Sequence, residues 1–141
     1  MNEESSSLSY APLQDAFERI NLADALPLQN PISMQVDPTS LCNFKCSFCP
    51  TGDPTLIKAS KRVQNFMDME IYKRILSDIG NFKIPLNVLR LYKDGEPLLH
   101  PEFVKMVALA KKVENIKRVE TTTNGSKLTR DKIDQILDAG I

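Results

Sequence analysis

Three apolar runs alternate with three amphipathic stretches along the chain, and this order limits the fold more than any other feature of the sequence. The predicted strands cover residues 32–37, 87–92 and 118–123, and the predicted helices cover residues 69–79, 101–113 and 130–139. Strands that alternate with helices pair in parallel, because a parallel connection needs a long crossover. Such crossovers are right-handed. The sequence therefore predicts an α/β fold with a parallel sheet built from three βα units.

Capping residues and glycines define the ends of the predicted helices. Asp68 can cap the first helix and Gly80 can end it, whereas Pro101 suits the first position of the second helix. Thr129 can cap the third helix, which Gly140 closes. Two helices have an apolar face for the sheet, formed by Ile71, Tyr72, Ile75, Leu76 and Ile79 in the first and by Phe103, Met106, Val107, Ala110 and Val113 in the second.

The predicted sheet is unfinished at the end of the chain. The 141 residues suit one domain of about 100–200 residues, but three βα units are too few for an eight-stranded barrel of roughly 250 residues. We therefore expect a truncated sheet, with the next strand beginning after Ile141. Its open edge and inner face should make the chain associate and act poorly as an enzyme. The residues expected to lack neighbours are Val88, Leu89, Leu91 and Val119.

Composition and charge set the broad class of the protein. Residues 1–31 are a predicted leader, disordered over 1–10 with one short amphipathic helix within 11–26, and residues 32–141 are a predicted core domain. The 18 basic and 18 acidic residues cancel, so no broad field attracts nucleic acid or an anionic membrane. The sequence contains no run of about 18 apolar residues and no secretory signal, which predicts a cytoplasmic protein.

All three cysteines, Cys42, Cys46 and Cys49, lie within eight residues. An odd number packed this tightly does not suit a disulfide framework, so reduced thiolates that hold a metal are predicted. Three thiolates can bind three irons of a four-iron cluster and leave the fourth iron open. A zinc site would need a fourth ligand, for which His100 is the obvious candidate, although this histidine is expected to cap or pack beside the second helix. Three buried thiols are the other alternative.

Two turns follow the other predicted strands. The DGEP turn, residues 94–97, ends the second strand, and the TNG turn, residues 123–125, ends the third. The carboxyl ends of parallel strands meet on one rim of a sheet, where the cysteine-containing loop after the first strand also lies. The three motifs are therefore expected to converge on one site.

Residues of these turns have properties that suit a ligand. Gly95 lets the backbone approach a ligand closely, and Pro97 stiffens the turn. The Glu96 carboxylate and the backbone carbonyls suit a cation. Thr121 and Thr123 share one side of the third strand, which we predict to face inward. A branched side chain at Gly95 is expected to weaken ligand binding and to leave the metal bound by the cysteines in place.

The three motifs together resemble those of the radical S-adenosylmethionine (SAM) superfamily over residues 33–141. In that family a Cys-x3-Cys-x2-Cys loop follows the first strand of a partial TIM barrel, and an aromatic residue precedes the third cysteine, as Phe48 does here. The family's turn after the second strand is most often Gly-Gly-Glu, so Asp94 replaces its first glycine. The resemblance implies the N-terminal half of a partial TIM barrel.

The resemblance also implies two cofactors, a 4Fe–4S cluster and SAM. The open iron would bind SAM, and one electron would break its sulfur–C5′ bond to give methionine and a 5′-deoxyadenosyl radical that abstracts hydrogen from a substrate. The implied cluster ligands are Cys42, Cys46 and Cys49. The implied SAM contacts are Phe48 beside the adenine through its backbone, Gly95, Glu96 and Pro97 at the methionine end, and Thr123 and Asn124.

A one-electron donor such as flavodoxin or ferredoxin is a further implication. Lys58, Lys61 and Arg62 are predicted to be solvated surface, with a docking surface for an acidic donor as the alternative. Residues 95–103 resemble family members that carry a C-terminal domain with auxiliary clusters. Those members act on different substrates, so the resemblance does not define a substrate. The alternatives to a radical enzyme are a cluster-carrying electron-transfer or scaffold module and a zinc-stabilised binding domain.

Overall fold

The computed structural model describes residues 21–141, and its elements follow the predicted order. The helices are α1 (Leu22–Ala25), α2 (Pro54–Ala59), α3 (Met69–Gly80), α4 (Phe103–Lys111) and α5 (Arg130–Asp138), and the strands are β1 (Ser33–Gln35), β2 (Val88–Arg90) and β3 (Val119–Glu120). The segment 1–10 and most of the helix predicted within 11–26 lie outside the described residues. No helix in the described range is long and apolar enough to cross a membrane.

The three strands form one parallel sheet in the order β1-β2-β3. Met34 of β1 lies opposite Leu89 of β2, and Leu89 lies opposite Val119 of β3. The predicted α/β fold with a parallel sheet is therefore confirmed. The strands are shorter than predicted, since regular pairing covers three residues in β1 and β2 and two residues in β3.

One face of the sheet packs against α3 and α4 and forms the core. The buried side chains include Val36, Leu89, Leu91 and Val119 from the sheet, Tyr72, Leu76 and Ile79 from α3, and Phe103, Met106, Val107 and Ala110 from α4. The hydroxyl of the fully buried Tyr72 donates to the Met106 carbonyl at 3.0 Å. Burial raises the pKa of Tyr72, so its hydroxyl keeps the proton that it donates.

The apolar strand residues that we expected to lack neighbours are in fact buried. Val88, Leu89, Leu91 and Val119 are each at most 4% exposed. The expectation was wrong for Leu89, Leu91 and Val119 because they belong to the core formed with the helix layer, which covers them without a further strand. Val88 lies outside that core, on the face that it shares with Arg90, and is buried there.

The opposite face of the sheet is polar. Side chains alternate between the two faces of a strand, so Arg90 and Glu120 point away from the helix layer. Arg90 Nε lies 3.2 Å from Glu120 Oε2, and Arg118 also pairs with Glu120. The same alternation places Tyr92 and Thr122 on this polar face, one step closer to the carboxyl ends of the strands.

Two helices are capped as predicted. Asp68 accepts two backbone N–H groups at the start of α3, and Thr129 accepts one at the start of α5. These caps satisfy N–H groups that have no partner within the helix. Both helices therefore begin where the sequence places them.

Two predictions about the helices are wrong in detail. Pro101 precedes α4 instead of occupying its first position, because the His100 ring accepts the Glu102 N–H at 3.1 Å and holds the chain in a turn there. Ile71 was expected to face the core but is 54% exposed. The buried stripe of α3 runs along Tyr72, Leu76 and Ile79, and Ile71 lies beside it.

Candidate cofactor site

Three loops meet at the carboxyl ends of the strands and surround one cavity. The cysteine loop, residues 38–52, follows β1, while the DGEP turn follows β2 and the TNG turn follows β3. The cavity has a volume of about 260 Å³, and its lining includes Cys42, Cys46, Cys49, Gly95, Glu96, Thr123 and Asn124. The structure thus brings the three predicted motifs together on one rim.

The three cysteines are free thiols, each partly exposed. The Cys49 N–H donates to the Cys46 carbonyl at 3.1 Å, and the Gly52 N–H donates to the Cys49 carbonyl at 2.9 Å. Cys49 Sγ also lies 2.9 Å from Thr51 Oγ1, and this hydrogen bond lowers the pKa of the Cys49 thiol. The thiolate, which is the form that binds a metal, is therefore favoured at Cys49.

Gly52 allows the cysteine loop to close on itself. A Cβ at Gly52 would lie 2.8 Å from the Cys46 carbonyl oxygen and 3.0 Å from the Cys46 nitrogen. Any side chain there would push the second cysteine away. Sequence reasoning missed Gly52 and Thr51, because neither residue belongs to the cysteine spacing that marks the motif.

Cys42, Cys46 and Cys49 line one shared cavity. Each cysteine of a four-iron cluster binds a different iron, whereas a single zinc ion needs its ligands grouped around one point. Within residues 21–141, no group of three or more His, Cys, Asp or Glu side chains has the arrangement of a metal site.

His100 does not take part in the site. Its side chain is buried, its Nε2 lies 3.0 Å from the Met67 carbonyl oxygen, and its Nδ1 accepts the Glu102 N–H. The ring also packs edge-on against Phe66. The prediction that His100 caps and packs is confirmed, and both ring nitrogens are occupied away from the cysteines.

Gly95 brings the DGEP turn against the cysteine loop. A Cβ at Gly95 would overlap the Thr39 carbonyl oxygen and lie 2.7 Å from the Leu41 carbonyl oxygen. The next residue, Glu96, donates its N–H to that Leu41 carbonyl at 2.8 Å. The close approach that glycine permits here is thus to the chain's own backbone, whereas the sequence suggested an approach to a ligand.

Glu96 joins the DGEP turn to the TNG turn. Its side chain is buried, with 2% of the residue exposed. Oε1 accepts the Thr123 hydroxyl at 2.6 Å and the Leu98 N–H at 3.0 Å, and Oε2 accepts the Asn124 N–H at 2.7 Å. None of these three donors carries a charge, so the carboxylate gives the cavity wall negative character. A cationic group would be attracted to that wall.

Asn124 joins the TNG turn to the cysteine loop. Its side-chain Nδ2 donates to Asn43 Oδ1 at 3.1 Å and lies 4.0 Å from Cys42 Sγ. Asn43 in turn donates to the Ser126 hydroxyl at 2.8 Å. The TNG turn is therefore held on both sides, by Glu96 and by the cysteine loop.

Three predicted residues lie outside the cavity lining. Phe48 is 89% exposed, and Phe44 lines the cavity from the same loop. Pro97 is buried and begins the short 3-10 turn Pro97–Leu99. Thr121 donates its hydroxyl to the Leu91 carbonyl at 3.0 Å.

The polar sheet face supplies two lining residues that sequence reasoning missed. Tyr92 and Thr122 both line the cavity. They continue the alternation of Arg90 and Glu120, which are register partners in the parallel sheet. Strand alternation, combined with the register of the sheet, identifies Thr122 instead of Thr121 as the residue that faces the cavity.

Arg62 is exposed, as predicted, but it also forms ion pairs at the rim that the sequence did not predict. One guanidinium nitrogen binds Asp94, and another lies 3.4 Å from Asp37 Oδ2. Burial raises the pKa of Asp37, and the Arg62 charge opposes that shift. Lys58 and Lys61 are exposed, as predicted.

Three free cysteines that share a cavity at the carboxyl rim of a three-stranded parallel sheet are typical of a protein that holds an iron–sulfur cofactor. The family model of the Radical SAM superfamily matches residues 36–141, and the chain belongs to this superfamily. Members use a 4Fe–4S cluster and SAM for radical chemistry, which are the two cofactors predicted from the sequence.

The relatives give the family match more detail. The chain is 30% identical over 114 residues to the GTP 3',8-cyclase of Actinobacillus pleuropneumoniae serotype 7, and this match covers 78% of the chain and 30% of the relative. It is 28% identical over 109 residues to the GTP 3',8-cyclase of Aquifex aeolicus, with 77% and 32% covered. The chain thus spans about a third of the length of these relatives.

A solved structure has the same fold. The crystal structure of BtrN in complex with AdoMet and 2-DOIA matches with a TM-score of 0.65 and 25% sequence identity. The match covers 77% of this chain and 42% of that chain. The fold predicted from the sequence, part of a radical SAM barrel, is confirmed.

Proposed function

We propose that this chain carries the cluster-binding and SAM-binding part of a radical SAM enzyme. The observation that carries the proposal is the convergence of three free cysteines with the DGEP and TNG turns on one cavity of about 260 Å³. Each motif alone is a common loop, but all three lie at successive strand ends of one sheet.

The cysteines are the proposed ligands of the cluster. Cys42, Cys46 and Cys49 line the cavity from one side, and Thr51 favours the thiolate at Cys49. When bound, the reduced cluster supplies one electron that cleaves SAM to a 5′-deoxyadenosyl radical able to abstract hydrogen from a substrate. The chain's own residues hold the cluster and orient SAM.

The proposed methionine end of the SAM site lies at the DGEP turn. The ammonium group of SAM would lie against the wall made negative by Glu96, near the backbone of Gly95. Pro97 would stiffen the turn. Thr123 and Asn124 close the opposite side, and their bonds to Glu96 fix the distance between the two turns. Phe48 would meet the adenine through its backbone.

No particular substrate is proposed for the radical step. The relatives are named GTP 3',8-cyclases, and the chain spans only about a third of their length. A nucleotide is therefore one substrate class to test for the whole protein. Residues 32–141 would form the core domain, and residues 1–31 would precede it as a leader.

The electron donor and the location are also proposals. A small acidic electron carrier such as flavodoxin or ferredoxin would reduce the cluster, with the exposed Lys58 and Lys61 available near the cysteine loop. Reduced thiols and an oxygen-sensitive cluster suit the cytoplasm.

Anaerobic reconstitution of the chain with iron and sulfide tests the proposal. We expect about four irons and four sulfides per chain, and an electron paramagnetic resonance spectrum of the reduced cluster that changes when SAM is added. A cluster whose spectrum ignores SAM would favour an electron-transfer or scaffold module. One bound zinc and no cluster would favour a zinc-stabilised binding domain.

A further inference from the structure

We propose that Arg62 is a positioning residue that fixes the DGEP turn against the cysteine loop by neutralising Asp37 and Asp94. The inference concerns the same site and rests on the proposed function for its consequence in SAM binding.

The guanidinium of Arg62 joins three separate segments. Arg62 lies between α2 and α3, in the segment that follows the cysteine loop. Its two terminal nitrogens bind Asp94, the first residue of the DGEP turn, and Asp37, which follows β1. The three side chains are only 37%, 24% and 20% exposed, so water screens their charges less than at an open surface.

Removal of Arg62 would leave two neighbouring carboxylates without a shared counter-charge. Asp37 Oδ1 is buried without a hydrogen-bond partner, and Arg62 is the one positive charge among residues 21–141 that acts on this carboxyl beside the backbone N–H groups of Asp94 and Gly95. Lys93 Nζ is 3.9 Å from Asp94, but its side chain is 59% exposed and the separation is long for an ion pair. The repulsion would push Asp94 away from Asp37.

A displaced Asp94 would disturb the contact that holds the rim together. The next residue, Gly95, lies against the Thr39 carbonyl with no room for a Cβ. Beyond it, the Glu96 N–H donates to the Leu41 carbonyl. A shift of Asp94 would therefore strain both contacts between the DGEP turn and the cysteine loop.

A substitution of Asp94 tests whether its charge is the reason that Arg62 is needed. If Arg62 is needed because Asp94 carries a carboxylate, then Asp94→Gly should remove that need. The double variant Arg62→Ala/Asp94→Gly should behave better than Arg62→Ala alone. A side chain that contributes only general stability would give additive losses instead.

Affinity for SAM is the first measurement. The reconstituted parent, the two single variants, the double variant and Arg62→Lys are titrated with SAM while the cluster is oxidised, so that SAM is not cleaved, and Kd is measured by isothermal titration calorimetry. We expect Arg62→Ala to raise Kd about tenfold. The double variant should return to within about twofold of Asp94→Gly, and Arg62→Lys should recover part of the loss. Arg74→Ala, which removes an exposed arginine on α3, is the matched control and should leave Kd unchanged.

Hydrogen exchange of the Glu96 amide in the cofactor-free chain is the second measurement. Exchange should be about tenfold faster in Arg62→Ala and should return to the parent rate in the double variant. Unchanged exchange in Arg62→Ala, or a double variant as fast as Arg62→Ala, would overturn the positioning role. A parent that binds no SAM while exchange follows the expected pattern would overturn the proposed function and support the contact network.

Discussion

The core of the molecule and the rim at the strand ends are held together in different ways. The face toward α3 and α4 is apolar, and residues such as Leu89, Met106 and Val107 are fully buried there. The rim at the strand ends is held by a few polar side chains, chiefly Glu96 and Arg62, that each join two or three segments. The core shares its stabilisation among many side chains, whereas the rim depends on individual groups.

This difference separates stability from function. A single loss in the core lowers the free energy of unfolding but leaves the arrangement of the loops intact. A single loss at the rim changes little buried apolar area but moves a cofactor-binding loop. Variants in the core should therefore change mainly the free energy of unfolding, whereas variants at the rim should change mainly cofactor binding.

The largest expected effect is complete loss of the cluster. Cys42→Ala, Cys46→Ala and Cys49→Ala should each abolish the 4Fe–4S cluster, because the chain has only three cysteines and none can substitute. Iron content and visible absorbance after anaerobic reconstitution measure it. Ser47→Ala, an exposed residue of the same loop, is the control and should keep the cluster. A full cluster in any cysteine variant would refute the ligand assignment.

The next largest effect is expected at Gly95. The structure changes the expectation from the sequence, since a Val side chain would overlap the Thr39 carbonyl of the cysteine loop. We predict that Gly95→Val lowers iron content to below about half and weakens SAM binding as well. Gly80→Ala is the matched control, because a Cβ at Gly80 meets nothing within 4 Å. Full iron with loss of SAM binding would instead support the original view that Gly95 faces the ligand.

The core prediction concerns stability alone. Leu89→Ala should lower the free energy of unfolding by about 2–5 kcal/mol, because it opens a cavity in the fully packed layer under α3 and α4. Denaturant unfolding followed by circular dichroism measures it. The exposed Ile71→Ala should change the same quantity by no more than about 0.5 kcal/mol. Equal losses in the two variants would contradict the burial of Leu89.

The same contrast explains what the sequence could predict. Periodicity along one segment reports which side chains turn inward, so the burial of Tyr72 and Met106 followed from their neighbours in the chain. Spacing alone marked the three cysteines. The rim contacts join residues far apart in sequence: Arg62 and Asp94 are separated by 32 positions and Glu96 and Thr123 by 27.

Contacts of this kind leave no periodic pattern. A basic residue after a loop is most often solvated, so Arg62 was assigned to the surface, and only the folded chain brings it to Asp37 and Asp94. Gly52 is missed for a similar reason, since its need for glycine comes from the nearby Cys46 backbone. The sequence thus predicted which segments form the rim but not how they are held.

The smallest expected effect is a pH dependence at Asp37. Burial raises the pKa of this carboxyl in the folded chain above its ordinary value of 3.8. Between those two pKa values the folded state binds more protons than the unfolded state, so Asp37 makes the fold less stable as pH rises through that window. Asp37→Asn lacks this titration. The stability of the variant relative to the parent should therefore increase as the pH is raised from below 3.8 to neutrality. Denaturant unfolding across that range measures the difference. A difference that shrinks as pH rises would show that the ion pair with Arg62 outweighs the burial of the charge.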